Sequence, residues 1–171
     1  MSAVRQNDGP TARCITREIK AYIKWSERDG GYYNRRFLPV LVVVTGKPGQ
    51  SNARVGDNLM SQFKFLARQH REYLAEPLSG DDTRGPRFRR TPPLLYGILV
   101  VRTLVVIFTY DSSQLNPDLL KITSFNFNGV DSSQEVWDCI GIAAVVICAR
   151  NYLMATKDEF EVEIEEVDPD L

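Results

Sequence analysis

The sequence predicts an α/β domain, a mixed β-sheet flanked by helices, and three observations predict it. A continuous apolar, β-branched run at residues 37–44 (FLPVLVVV) ends in Gly46, Pro48 and Gly49. Apolar residues then recur at helical spacing at Val55, Leu59, Phe63, Leu66, His70 and Tyr73. A second β-rich run at residues 94–110 is followed by an apolar helical stretch toward the C-terminus. Strand, glycine loop and helix in that order make the unit from which α/β sheets are assembled. A length of 171 residues suits one domain. With 43% hydrophobic and 25% charged residues, a mostly disordered or collagen-like chain is excluded.

Each element follows in order. Residues 1–13 are polar, contain Gly9-Pro10, and are expected to form a flexible tail, leaving 14–157 as the domain. Over residues 15–25 two periods compete: Ile15, Ile19, Tyr22 and Ile23 suit a helix, while Ile19, Ala21, Ile23 and Trp25 alternate as in a strand. The expectation is a helical start running into a strand, closed by the turn signal Asp29-Gly30-Gly31. The run at 37–44 reads as a central strand buried on both faces. Ser51 is placed to cap the next helix, about six turns long over residues 51–75. Residues 77–93 (PLSGDDTRGPRFRRTPP) form a basic loop. The run at 94–110 is too long for one strand and reads as a hairpin bending at Arg102-Thr103, although that pair is poor turn chemistry. Phe125-Asn126-Phe127-Asn128-Gly129 reads as an edge strand and a turn. Ser132-Ser133-Gln134-Glu135 is a capping box. The helix it opens, near residues 133–154, is apolar on nearly every face between Ile140 and Ala149 and should be buried. Residues 158–171 hold eight acids and no base, an acidic tail or an edge strand through Phe160, Val162 and Ile164.

Charge is divided along the chain. Residues 1–92 carry 17 Lys/Arg against 9 Asp/Glu, a net +8, and residues 93–171 carry 4 against 13, a net −9. Either the two halves neutralise each other in the fold, or the basic half meets phosphate or an acidic partner. The N-terminus lacks the apolar core of a secretory signal. Arg102 at the centre of the 94–110 run, where a charge costs about 2.5–3.5 kcal/mol on insertion scales, argues against a membrane span. No membrane partner and an intracellular location, cytoplasmic or nuclear, are expected. Cys14, Cys139 and Cys148 lack ligand spacing, and the latter two read as core thiols in a reducing compartment.

Thr45-Gly46-Lys47-Pro48-Gly49-Gln50-Ser51 lies between the apolar strand and the helix. A phosphate loop needs convergent N–H donors there and a Gly-Lys-Ser/Thr ending. Here Lys47 lies several residues before the helix and Pro48 removes a donor, so a plain strand-to-helix turn competes with a phosphate- or small-molecule-binding loop.

A buried strand ending at Lys47, a long helix carrying Gln69-x-x-x-Tyr73, a Tyr96-Gly97-Ile98-Leu99 strand, a second apolar strand and a C-terminal helix follow one another. In this order the chain resembles the restriction-endonuclease-like, or PD-(D/E)XK, superfamily, in forms widespread among fungal proteins. The resemblance covers about residues 15–155 and implies a restriction-endonuclease-like core with the run at 37–47 interior. It also implies that Lys47 matches the motif lysine and that Gln69 lies near the metal site. The family's acids, one ending the second strand and one two places before the lysine, hold magnesium, which polarises the phosphodiester. Thr45 stands at the second of these positions, and a hydroxyl has neither the charge nor the affinity of a carboxylate. For the first, Asp29 lies in a turn, Asp57 lies on the following helix, and Glu18 and Glu27 are no better placed.

The resemblance therefore implies a catalytically degenerate nuclease-like module that binds nucleic acid or a protein partner, with no cofactor. Two alternatives stand beside it: an active nuclease using magnesium held through Asp29 or Asp57, and the phosphate-binding loop. Arg84, Arg87, Arg89 and Arg90, grouped around Phe88, are the expected nucleic-acid contacts, since guanidinium forks suit phosphate. Their competing reading is a solvated loop, or one docked on the acidic C-terminal segment. Gln62 and Gln69 flank Leu66 on one helical stripe, and His70, the only histidine, reads as a satisfied boundary residue. An acidic protein surface or a homodimer is a further expected partnership.

Overall fold

The longest β-rich stretch of the chain builds the middle of its sheet. The computed structural model describes residues 9–76, 87–129 and 132–162. Along them run α1 (Gly9–Asp29), β1 (Arg35–Arg36), β2 (Leu41–Thr45), α2 (Asn52–Leu74), β3 (Leu94–Val101), β4 (Leu104–Asp111), β5 (Leu120–Asn126), α3 (Ser132–Thr156), a short 3-10 turn (Lys157–Glu159) and β6 (Glu161–Val162). The main sheet has the order β2-β3-β4-β5, with β2 parallel to β3 and the other neighbours antiparallel. It is thus an α/β fold with a four-strand mixed sheet flanked by helices. β1 and β6 pair separately.

Alternation along the strands sends side chains to two covered faces. Val42, Val44, Leu95, Leu99 and Val106 pack with Val55, Leu59, Phe63 and Leu66 of α2. Ile98, Val100, Val105 and Ile107 point the other way, onto Ile19 of α1 and Ile142 of α3. Gly97 lets α2 come close: a Cβ there would lie 2.5 Å from Phe63 Cζ. The hairpin turns at Arg102-Thr103 as its length requires, with Arg102 at φ 57°. Ser51 Oγ accepts from the Arg54 amide at 3.4 Å and caps α2. Glu135 at the start of α3 reaches back to the Gly129 amide at 2.7 Å. β5 is the edge strand expected, entered earlier, at Leu120.

Several expectations are corrected. Residues 9–13 belong to α1 rather than to a tail, and α1 continues to Asp29 instead of turning into a strand. Ala12, Thr16, Ile19 and Ser26 are buried at helical spacing, while Trp25 of the competing alternation is 52% exposed. β2 is an edge strand of its sheet, not a central or interior one. Its apolar run reports helices on both faces, α2 over Val42 and Val44 and α1 over Leu41 and Val43, and hydrophobicity carries no signal about lateral neighbours. α3 is not buried all round: Trp137 is 68% and Ile140 52% exposed, and Cys139 and Cys148 are exposed rather than core thiols. By length and composition α3 would suffice to cross a membrane, with 28% of its most apolar window buried here. Of the segment 158–171, residues 163–171 lie outside the described residues; residues 158–159 end the 3-10 turn, and Glu161–Val162 form the short strand β6, laid against β1.

Candidate functional site

Parallel neighbours β2 and β3 end together, and the chain beyond β2 turns into α2 at that end of the sheet. Sites in α/β sheets gather at such carboxyl ends. Thr45 pairs with Val100 in register, and the Gly46 amide bonds the Val100 carbonyl at 2.8 Å. Lys47 follows, exposed. The register also puts Arg102, two residues beyond Val100, at the same sheet end.

α1 lies against β2 here. Thr16 Oγ1 donates to the Ala12 carbonyl at 2.7 Å, so the 2.8 Å contact between Thr16 and Thr45 hydroxyls is donated by Thr45. Beside this pair opens a groove of about 590 Å³, lined by Arg13, Thr16, Arg17, Lys20, Thr45, Gly46, Lys47 and Pro48. Four of the eight lining residues are cations, and no carboxylate lines it. Glu18 neutralises part of Arg17 at 2.7 Å, but with both side chains largely exposed the pair is weak. The groove concentrates positive potential on one concave surface.

The same geometry bears on a metal. Magnesium wants several oxygen ligands, at least one a carboxylate. Beside Lys47 the position two residues earlier offers only a hydroxyl, already bonded to Thr16. Asp29 lies at the far end of α1, 13 residues past Thr16 or about 20 Å along a helix, and is ion-paired with Arg150. Asp57 is two residues, about 200° of helix, from the buried Val55 and points to solvent. Among the described residues no group of three His, Cys, Asp or Glu is arranged to hold a metal. The residues present do not fit a divalent cation at this site.

The loop's own amides are largely engaged within the fold. The Gly46 amide is bonded to Val100, the Lys47 amide to Gln50 Oε1 at 3.1 Å, and the Gln50 amide to the Lys47 carbonyl at 3.0 Å. Pro48 has no amide hydrogen. Three amides of the loop are thus turned inward and a fourth position offers none.

Other expected residues are dispersed. Gln69 is half-buried on α2, 18 residues past Ser51 and so about 27 Å along the helix from the Lys47 end. Lys47 and Gln69 do not share a site. Gln62 bonds Asn58 at 3.0 Å. Tyr73 is covered by Arg89, whose guanidinium lies 5.2 Å from the ring centroid while Nη2 donates to the Tyr73 carbonyl. Arg90 is ion-paired with Glu159 and lies 5.5 Å from the Tyr152 ring centroid. The Arg87 carbonyl accepts from the Glu76 amide, and Phe88 bridges to Ala75. Arg84 lies outside the described residues. Arg89 and Arg90 are thus docked on the protein, one partner being an acid of the C-terminal segment.

The cations that do converge on Lys47 were passed over in the sequence. Arg13, Arg17 and Lys20 recur at intervals of four and three, with Lys24 and Arg28 continuing the stripe. That period was legible once residues 9–29 were read as one helix. Compared with family models, with curated proteins and with solved structures, the chain matches none.

Proposed function

We propose that this protein is a nucleic-acid-binding module that grips the phosphate backbone in the groove between α1 and the end of β2. The observation that carries the reading is the lining: Arg13, Arg17, Lys20 and Lys47 on one concave surface free of carboxylates. Guanidinium and ammonium groups spaced along a helix match successive phosphates, and they need no base contact to bind. The Thr45 side of the groove supplies a hydroxyl surface where a nuclease would hold its metal. Catalytic degeneracy is therefore part of the proposal, and kinship with restriction-endonuclease-like proteins is a subordinate part of it. Supporting that kinship are the lysine at the end of a strand, the parallel β2–α2–β3 crossover and the C-terminal helix. The edge position of β2 counts against it, and the binding reading does not depend on it.

Fluorescence anisotropy with short labelled single-stranded and duplex DNA tests the proposal. Reversing three charges together, Arg13→Glu, Lys20→Glu and Lys47→Glu, should weaken binding by about 100-fold or more at low salt, the phosphate contacts being electrostatic. Replacing Arg89 and Arg90 by alanine should leave affinity within about threefold, since neither cation lines the groove. Unchanged binding in the triple variant rejects the groove. Incubation with plasmid and Mg²⁺ or Mn²⁺ should give no cleavage, and cleavage abolished by Lys47→Ala would contradict the degenerate reading.

A further inference from the structure

α1 carries more on its outer surface than the cations of the groove. Its stripe runs on from Arg13, Arg17 and Lys20 through Lys24 to Arg28, about 22 Å of helix. Aromatic side chains border the far half of that stripe. Trp25 is exposed and stacks on Tyr22, ring centroids 5.2 Å apart at 20°. Ala21, itself exposed, lies one turn before both Lys24 and Trp25 and sets only a methyl between them. Tyr33, exposed just past the end of α1, has the Lys24 ammonium 5.5 Å and the Arg28 guanidinium 4.8 Å from its ring centroid. Neither Trp25 nor Tyr33 belongs to a hydrophobic core, so packing does not account for them. The acids of α1 leave this surface positive: Glu18 is paired with Arg17, Asp29 with Arg150, and Glu27 is half-buried.

We propose that the nucleic acid taken by the groove is a single strand, its phosphates on the α1 stripe and its unpaired bases stacked on Trp25 and Tyr33. This rests on the groove reading above and names the form of nucleic acid that the same surface accepts. Two observations carry it. Exposed aromatic rings set beside cations make a stacking platform, and stacking on a side chain needs bases released from a duplex. Any base has a face to offer, so no sequence preference is implied. The second observation is the size of the groove. At about 590 Å³ it has the volume of a small-ligand cleft, which a sugar-phosphate strand can enter and a far wider duplex can only span at its rim. DNA and RNA share this chemistry, differing at the 2′-hydroxyl.

Fluorescence anisotropy of the full chain tests this with four labelled probes of about 12 nucleotides: oligothymidylate, oligouridylate, an abasic deoxyribose-phosphate strand and a duplex. The tighter of the first two, which assigns DNA or RNA, should bind at least about 10-fold more tightly than the abasic strand or the duplex. Trp25→Ala should weaken that binding by about 10-fold and binding of the abasic strand or duplex by less than about twofold, and Trp25→Phe should recover most of the loss. Trp25 and Trp137 are the two tryptophans. In Trp137→Phe, where Trp25 is the sole indole, the preferred strand should quench emission and the abasic strand should not, a reading that leaves the platform itself intact. Equal affinity for single strand and duplex, or unchanged single-strand affinity and no quenching at Trp25, overturns the inference. The groove reading survives that result if the charge reversals still abolish binding, whereas no binding of any probe rejects both.

Discussion

His70 is 3% exposed and sits 3.0 Å from the Pro39 carbonyl. A carbonyl only accepts, so Nε2 carries the proton. Burial lowers the His70 pKa, the Pro39 bond opposing in part. The folded state therefore holds its proton less tightly than the unfolded chain. Stability from this group is full above the unfolded value of about 6.5 and is lost as pH falls through the folded one. Thermal unfolding should show Tm declining between pH 7 and pH 5, and His70→Gln should flatten that decline; an equal slope in the variant removes His70 as its cause. Gly97 gives a second residue-scale prediction. Gly97→Ala drives a methyl into Phe63 and should cost about 1–3 kcal/mol in denaturant unfolding, whereas Gly56→Ala, with open space around its Cβ position, should not destabilise.

At the scale of elements, α2 was the most legible, because one strong period, an N-cap and flanking breakers agreed. Ser51→Ala should cost about 1 kcal/mol in urea unfolding and Ser51→Asp little, as expected for an N-cap; equal loss in both would mean the cap bond at Ser51 is not what matters. The β3–β4 hairpin was legible from length, despite turn residues that argue weakly for it. α1 was misread in its second half. Alternation through Ala21 and Trp25 imitates a strand, and only tertiary burial of Ile19 and Ser26 decides between the two periods. β2 and α3 share a different difficulty. Composition reports how apolar an element is, not which neighbour satisfies it. An edge strand covered on both faces reads like a central one, and a helix with one face left open reads like a buried one.

Across the whole molecule, the charge division seen in the sequence resolves into two arrangements. Arg90 meets Glu159, and Arg35 in β1 donates to the Lys157 carbonyl at 2.7 Å beside β6, so part of the basic half is tied to the C-terminal segment. Another part, Arg13, Arg17, Lys20 and Lys47, gathers in the groove. Lys47 and Thr45 were legible as site residues from their place between strand and helix. Arg13, Arg17 and Lys20 were not, because the polar residues up to 13 read as a tail and residues 15–25 carry a helical and a strand period together. Gln69 was misplaced for a geometric reason: a long helix separates its two ends by most of the domain.

The salt dependence of DNA affinity tests the central claim most directly. Four phosphate contacts in the groove predict log K falling with log[salt] at a slope of about −3 to −4, and Lys20→Ala with Lys47→Ala should reduce its magnitude by about 2. A slope that the double variant leaves unaltered, or affinity indifferent to salt, would contradict the account.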